Sequence, residues 1–151
     1  MNDSDFMAEA LCEARSAAAA GEVPIGAVAV RDGKIVARAH NRVEELHTVT
    51  AHAEFQLLHQ LEKLSGDWRM SEYTFYVTKE PCPMCAGMLI NSRIKKVVFG
   101  APDPACGGFG GAFNLNDVPG LLWHCDIVSG VLADESLALI REFFRKRRKA
   151  K

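Results

Sequence analysis

The sequence lacks an apolar run long enough to cross a bilayer. Its longest apolar stretches, such as VPIGAVAV at 23–30, fall far short of the roughly 20 residues that a membrane-spanning helix needs. The first five residues, MNDSD, are polar and acidic, so we expect no secretory signal peptide.

The chain also lacks the dense, even-numbered cysteines of a small secreted domain. It has five, Cys12, Cys82, Cys85, Cys106 and Cys125. An odd and scattered set is not typical of a disulfide framework. Together with the polar start, this pattern favours a reduced, cytoplasmic protein.

A large net charge is missing too, because 18 Lys and Arg residues nearly balance 19 Asp and Glu residues. With 151 residues, 48% of them hydrophobic, the composition excludes a disordered chain and predicts one globular domain over 1–151. The balance hides an asymmetry: the basic end, residues 141–151, carries a charge of +6 and leaves −7 on residues 1–140. Such an end can recruit a polyanion, or simply complement a helix C-terminus.

Hydrophobic periodicity and turn residues predict alternating helices and strands. The predicted helices cover 4–20, 52–64, 83–92 and 133–149, and the predicted strands cover 25–30, 34–39, 73–78, 95–100 and 126–131. Expected helix caps are Ser4 or Asp5 and Thr50, and the expected apolar face of the second helix comprises Phe55, Leu58, Leu61 and Leu64. An Asp-Gly hairpin combined with strand–helix–strand crossovers predicts an α/β fold, a mixed sheet with helices on both faces.

Two cysteines, Cys82 and Cys85 in the stretch PCPMC, lie where a predicted strand gives way to a helix. If that helix begins at Pro83, both thiols lie at its first turn, where the helix dipole favours the thiolate form. The pair alone fits a metal site, a thiol–disulfide redox pair or no special role.

A second pair, His52 and Glu54, opens another predicted helix. Both helices follow strands, so their N-termini are expected to meet at one edge of the sheet. One imidazole and two thiolates leave the fourth zinc position to water, and Glu54 beside it would act as the base. A structural zinc would need a fourth protein ligand, for which Cys106, His124 and Cys125 lack the paired spacing. A catalytic zinc is therefore favoured.

The pattern H-x-E followed by P-C-x-x-C resembles the zinc-dependent nucleobase deaminases. Longer stretches, in order VPIGAVAV, HNR, TAHAE, YVTKEPCPMCAGMLINSRIKKVVFGA, GVLADE and FFRKRR, resemble the bacterial tRNA-specific adenosine deaminases over nearly the whole chain. This resemblance implies a three-layer α/β/α cytidine deaminase-like fold with a five-stranded sheet, a homodimer, and conversion of the wobble adenosine of a tRNA anticodon to inosine.

The resemblance also implies roles for single residues. His52, Cys82 and Cys85 would hold one Zn²⁺ per chain, and Glu54 would shuttle protons while zinc-activated water attacks C6 of adenine and ammonia leaves. The implied contacts with the target nucleoside are Pro24, Ile25, Val28, Asn41 and Ala53. The implied phosphate contacts with the tRNA anticodon stem-loop are Arg145, Lys146, Arg147 and Arg148.

Two departures from the family bear on the substrate. Thr48-Val49 replaces the usual Asp-Pro, and Trp123 stands where an asparagine is common. Trp123 would stack on a splayed base or be a half-buried packing residue. The alternatives are a small-molecule deaminase of the same superfamily acting on guanine, cytosine or a nucleoside, and a zinc-stabilised binding module without catalysis.

Overall fold

The computed structural model describes residues 1–150. They form five strands and five α-helices joined by loops. In chain order they are α1 (Asp3–Ala19), β1 (Gly26–Arg31), β2 (Lys34–His40), α2 (Val43–Leu46), α3 (Ala53–Ser65), β3 (Thr74–Lys79), α4 (Pro83–Asn91), β4 (Lys96–Ala101), β5 (Asp126–Val128) and α5 (Ala133–Lys149). A short 3-10 helix, Leu115–Asp117, lies between β4 and β5. None of the helices within 1–150 is long and apolar enough to cross a membrane.

The strands form one mixed sheet in the order β2-β1-β3-β4-β5. Strand β1 is antiparallel to both β2 and β3, whereas β3, β4 and β5 run parallel. The carboxyl ends of these three strands therefore lie at one edge of the sheet. The predicted α/β fold with a mixed five-stranded sheet is confirmed.

Helices cover both faces of the sheet, and both faces are apolar. Successive side chains of β1 point to opposite faces. Ala27 and Ala29 belong to the larger apolar cluster, which includes the buried residues of α3 and α4. Val28 and Val30 belong to a second cluster with Phe6 of α1. Val28 is therefore fully buried on the face opposite α3 and α4, and its contact with the target nucleoside stays a prediction.

The caps of the first two long helices differ from those predicted. Asn2 caps α1, in a reciprocal capping box with Asp5. His52 occupies the N-cap of α3, while the hydroxyl of Thr50 lies 3.1 Å from that of Thr48 instead. The polar segment after β2 also contains a helix that the sequence did not predict, α2.

The buried face of α3 is rotated from the predicted one. Leu57 and Leu61 are fully buried, but Leu64 is 70% exposed. Glu54 lies on the same stripe as Leu57 and Leu61, three and seven positions earlier, and is only 4% exposed. The rotation therefore turns a carboxylate toward the interior of the protein.

Candidate active site

The N-termini of α3 and α4 meet at the edge where β3 ends. His52 is the N-cap of α3 and Cys82 is the N-cap of α4, and neither side chain forms a capping hydrogen bond. Pro83 occupies the start of α4 as predicted, and its fixed φ suits that position. Cys85 follows within the same first turn, so all three donors face one another.

The three donor atoms are spaced as metal ligands. The sulfur atoms of Cys82 and Cys85 lie 3.7 Å and 3.5 Å from Nδ1 of His52, and all three atoms lie within 4.8 Å of one another. Tetrahedral zinc, with Zn–S of ~2.3 Å and Zn–N of ~2.0 Å, separates such atoms by roughly 3.5 Å. The cluster therefore fits a metal ion held by three protein ligands.

The electrostatics of the cluster favour a thiolate. Interaction with the thiol of Cys85, supported by His52, lowers the pKa of Cys82 to about 4. The same contact with Cys82, together with burial, raises the pKa of Cys85. Interaction with Cys82 also raises the pKa of His52. Negative charge thus concentrates on Cys82, where a cation would be bound.

Glu54 lies beside this cluster without joining its three donors. It is the second residue of α3 and is 4% exposed. Burial raises the pKa of its carboxyl group, because a low-dielectric environment disfavours the charged form. A carboxyl group with a raised pKa holds a proton more readily, as a residue that accepts and returns protons must.

Two adjacent cavities open onto the cluster. The inner cavity, about 180 Å³, is lined by His52, Glu54 and Cys82. The outer cavity, about 340 Å³, has Asn41 and Ala53 in its wall, and is of the size that small ligands occupy. The two cavities share three lining residues, Ile25, His52 and Lys79, so a ligand in the outer cavity reaches the donor cluster.

Two of the predicted nucleoside contacts offer polar groups to the outer cavity. Asn41 is 6% exposed. Its amide nitrogen donates to the carbonyl of Val23 at 3.5 Å, while its Oδ1 has no hydrogen-bond partner among the described residues. Ala53 is the first residue of α3, where a backbone N–H has no acceptor within the helix. Buried polar groups normally have a hydrogen-bond partner. We therefore expect a ligand to supply the partner for both of these groups.

Two other predicted contacts are not brought to the cavities. Pro24 is buried but lines neither cavity. The indole N–H of Trp123 donates to the carbonyl of Ile94 at 2.8 Å, beyond the far end of α4 from Cys82. The ring also packs against the larger core cluster, so the structure gives Trp123 a packing contact and no place beside Glu54.

The basic end of the chain reaches the outer cavity through α5. Phe144 and Arg147 line that cavity, and the guanidinium of Arg147 lies 5.4 Å from the ring centroid of Phe143. Arg145 is instead held by Glu142, with a shortest N···O distance of 2.6 Å. The four predicted phosphate contacts are thus not equivalent.

Sequence reasoning missed Glu22, which shapes the outer cavity. It is 1% exposed, and its carboxylate accepts the N–H groups of Glu44 at 3.0 Å and Glu45 at 2.8 Å. These bonds fix α2, whose residues Val43 and Glu44 line the cavity. The only signal in the sequence is an acidic residue directly before the apolar run VPIGAVAV.

Sequence reasoning also missed Glu80, which organises the loop beside the inner cavity. Its carboxylate accepts three backbone N–H groups, those of Asp103, Phe109 and Gly111, each at 2.9 Å. Gly107 packs so closely that a Cβ there would lie 2.2 Å from Cδ of Glu80. The glycines of GGFGG therefore let the loop wrap around one buried carboxylate.

Replacing Glu80 by glutamine is expected to lower the free energy of unfolding by about 2–4 kcal/mol, because an amide NH₂ group would face backbone donors that are already buried. Urea denaturation measures the change. The matched control is Glu72→Gln, because Glu72 is 66% exposed in its ion pair with Arg31 and should shift stability by less than about 1 kcal/mol. Equal shifts in the two variants would contradict this role of Glu80.

The sequence is similar to those of known deaminases. A family model for MafB19-like deaminases matches residues 1–148. The tRNA-specific adenosine deaminase of Bacillus subtilis (strain 168) is 47% identical over 149 residues, covering 99% of this chain and 92% of that protein.

Solved structures show the same similarity in fold. A structure from studies of A-to-I editing by tRNA:A34 deaminases at the wobble position of transfer RNA has a TM-score of 0.84 and 40% identity, covering 89% of this chain and 98% of that one. A guanine deaminase from Nitrosomonas europaea has a TM-score of 0.79 and 25% identity, covering 93% of this chain and 83% of that one. Both measures are higher for the structure from the tRNA study.

Proposed function

This chain belongs to the MafB19-like deaminase family and to the tRNA-specific adenosine deaminases, and we propose that it converts the wobble adenosine of a tRNA anticodon to inosine. It is a hydrolytic deaminase: water replaces the amino group at C6 of adenine, and ammonia leaves. The observation that carries the choice of substrate is the wall of the outer cavity, where Phe144 and Arg147 of the basic helix α5 meet Asn41 and His52. A site that adjoins a basic helix suits a base presented by a nucleic acid.

The metal in this proposal is one Zn²⁺ per chain, held by His52, Cys82 and Cys85. Two thiolates and one imidazole are a donor set typical of zinc, and the 3.5 Å and 3.7 Å separations support it. When bound, zinc supplies a Lewis acid that lowers the pKa of the attacking water.

Glu54 carries the protons in this proposal. Its carboxylate takes a proton from the attacking water and gives it to N1 of adenine, which makes C6 more electrophilic. It then takes the remaining proton from the new hydroxyl group on C6 and delivers it to the amino group, so that the C6–N bond breaks as C6=O forms and ammonia leaves. Burial raises the pKa of Glu54, which favours its protonated form and suits a group that holds a proton between transfers.

The remaining contacts orient the nucleoside. Oδ1 of Asn41 is free to accept a hydrogen bond from the target nucleoside, and the N–H of Ala53 is free to donate one. Ile25, which lines both cavities, supplies an apolar wall for the base. By the same family resemblance, we include a cytoplasmic homodimer in the proposal.

The test is inosine formation in total tRNA incubated with the purified, zinc-loaded protein, with free guanine, cytosine and adenosine as competing substrates. We expect inosine at anticodon position 34 and turnover of the small substrates at least about a hundredfold slower. The guanine deaminase similarity motivates the comparison. Turnover of a free base together with unmodified tRNA would overturn the proposal.

The arginines of α5 allow a sharper test of the RNA contact. Arg147→Ala is expected to lower kcat/KM on an anticodon stem-loop about tenfold and to reduce its salt dependence, since a phosphate contact is lost. Arg148→Ala is the matched control, because Arg148 lies next in sequence but does not line the outer cavity. Steady-state kinetics at several salt concentrations measure both variants, and equal losses would mean that α5 acts only through its total charge.

A further inference from the structure

Lys79 occupies the boundary between the inner and outer cavities. It is the last residue of β3 and lines both cavities. Its side chain is 31% exposed, and its Nζ lies 3.2 Å from Oδ2 of Asp103. Cys82 follows only three residues later in the chain, so the end of β3 places the ammonium near the donor cluster.

Asp103 fixes this ammonium but does not saturate it. The other carboxylate oxygen of Asp103 accepts the N–H groups of Ala105 at 3.0 Å and Cys106 at 3.2 Å. A lysine ammonium has three donors, and Asp103 is the one partner of Lys79 among the described residues. Donor capacity therefore remains at the point where a ligand passes from the outer to the inner cavity.

Lys79 is not needed to hold the neighbouring loop in place. The loop that begins at Asp103 is already held by the buried carboxylate of Glu80 through three backbone hydrogen bonds. A partly exposed ion pair adds little stability in comparison. The placement of a cation at the cavity boundary thus calls for a ligand.

The chemistry of the substrate identifies that ligand. Adenine and ribose are neutral and offer no charged partner to an ammonium, whereas a nucleotide within an RNA carries a phosphate on each side. Phosphate contacts position a nucleic acid without reading its sequence. Resting on the function proposed above, we infer that Lys79 binds one of the two phosphates flanking the target adenosine, and so favours a nucleotide within RNA over a free nucleoside or base.

The experiment removes the positive charge of Lys79 by substitution and the negative charge of each flanking phosphate by chemical replacement. Wild-type protein, Lys79→Met and Lys79→Arg are compared on a synthetic anticodon stem-loop that the wild-type protein deaminates, and on stem-loops with a neutral methylphosphonate linkage either 5′ or 3′ of the target adenosine. Lys95→Met is the matched control. Lys95 is exposed and precedes β4; it lies six residues before Ala101, the partner of Lys79 in β4, or about 20 Å away along the strand direction.

Lys79→Met is expected to raise KM for the unmodified stem-loop about tenfold, and to lower the salt slope by roughly 0.7, as for one phosphate on a single strand. One of the two methylphosphonate linkages should raise KM by a similar factor for the wild-type protein and should not raise it further for Lys79→Met. Lys79→Arg should retain the sensitivity to that linkage, and Lys95→Met should behave as wild type.

Two outcomes would overturn the inference. One is that both neutral linkages raise KM as much for Lys79→Met as they do for the wild-type protein. The other is that Lys79→Met leaves KM unchanged while the thermal unfolding temperature falls, which would assign the residue to the loop alone. Failure of the wild-type protein to deaminate any stem-loop would instead overturn the proposed function, so the two failures are distinguishable.

Discussion

Replacing Glu54 by glutamine is expected to lower kcat for inosine formation by about a thousandfold while zinc remains bound. Glutamine preserves the shape of the buried side chain but cannot take a proton from water, and general acid–base groups contribute about 10²–10⁴-fold. Glu54 lies outside the three-donor cluster, so the metal should stay. Single-turnover kinetics and metal analysis of the same preparation measure the two effects.

The control for this variant is Glu62→Gln on the same helix. Glu62 lies near the end of α3, where it pairs with His59 at 3.3 Å, away from both cavities. It should keep wild-type turnover. Wild-type turnover in Glu54→Gln would contradict the proton-carrying role of Glu54, and loss of zinc would show that Glu54 is itself a ligand.

Replacing Cys82 by alanine is expected to remove zinc and activity together. The variant loses a thiolate whose pKa is lowered to about 4, and metal binding requires deprotonated ligands and contributes to folding. We expect less than about a tenth of the wild-type zinc content at nanomolar free zinc, at least about a thousandfold lower kcat, and a lower unfolding temperature. Metal analysis, kinetics and thermal unfolding are the measurements.

Cys12→Ala is the matched control for Cys82→Ala. Cys12 is exposed on α1, on the other side of the sheet, and alanine is a good helix former. This variant should retain zinc, rate and stability. Full zinc content in Cys82→Ala would refute the ligand set. A wild-type protein without zinc, with a Cys82–Cys85 disulfide, would instead support the redox interpretation.

The parts of the site that were predictable depend on local sequence patterns. A proline at the start of α4 and turn residues around α3 locate two helix N-termini, and α/β topology brings such ends to one edge of a sheet. The convergence of His52 with Cys82 follows from that reasoning. The opposite orientation of Val28 was predictable too, because residues three apart on an extended chain, such as Ile25 and Val28, face opposite sides.

The parts that were not predictable depend on contacts between distant segments. Helix α2 is held by Glu22, which lies 22 positions before Glu44. A helix of four residues is too short to show a hydrophobic periodicity in the sequence. Glu80 reaches Phe109 across 29 positions, and Lys79 reaches Asp103 in the same loop. Side-chain-to-backbone bonds of this range leave no local signature, so buried carboxylates appear in the sequence as ordinary surface charges.

The N-cap positions of α3 and α4 make stability and chemistry compete for the same two residues. Serine or aspartate at either position would accept a backbone N–H and stabilise the helix by about 1 kcal/mol, yet His52 and Cys82 form no such bond. Selection for thermal robustness would therefore favour the substitutions that abolish catalysis. A stabilised variant of this enzyme should be sought at sites other than these two helix starts.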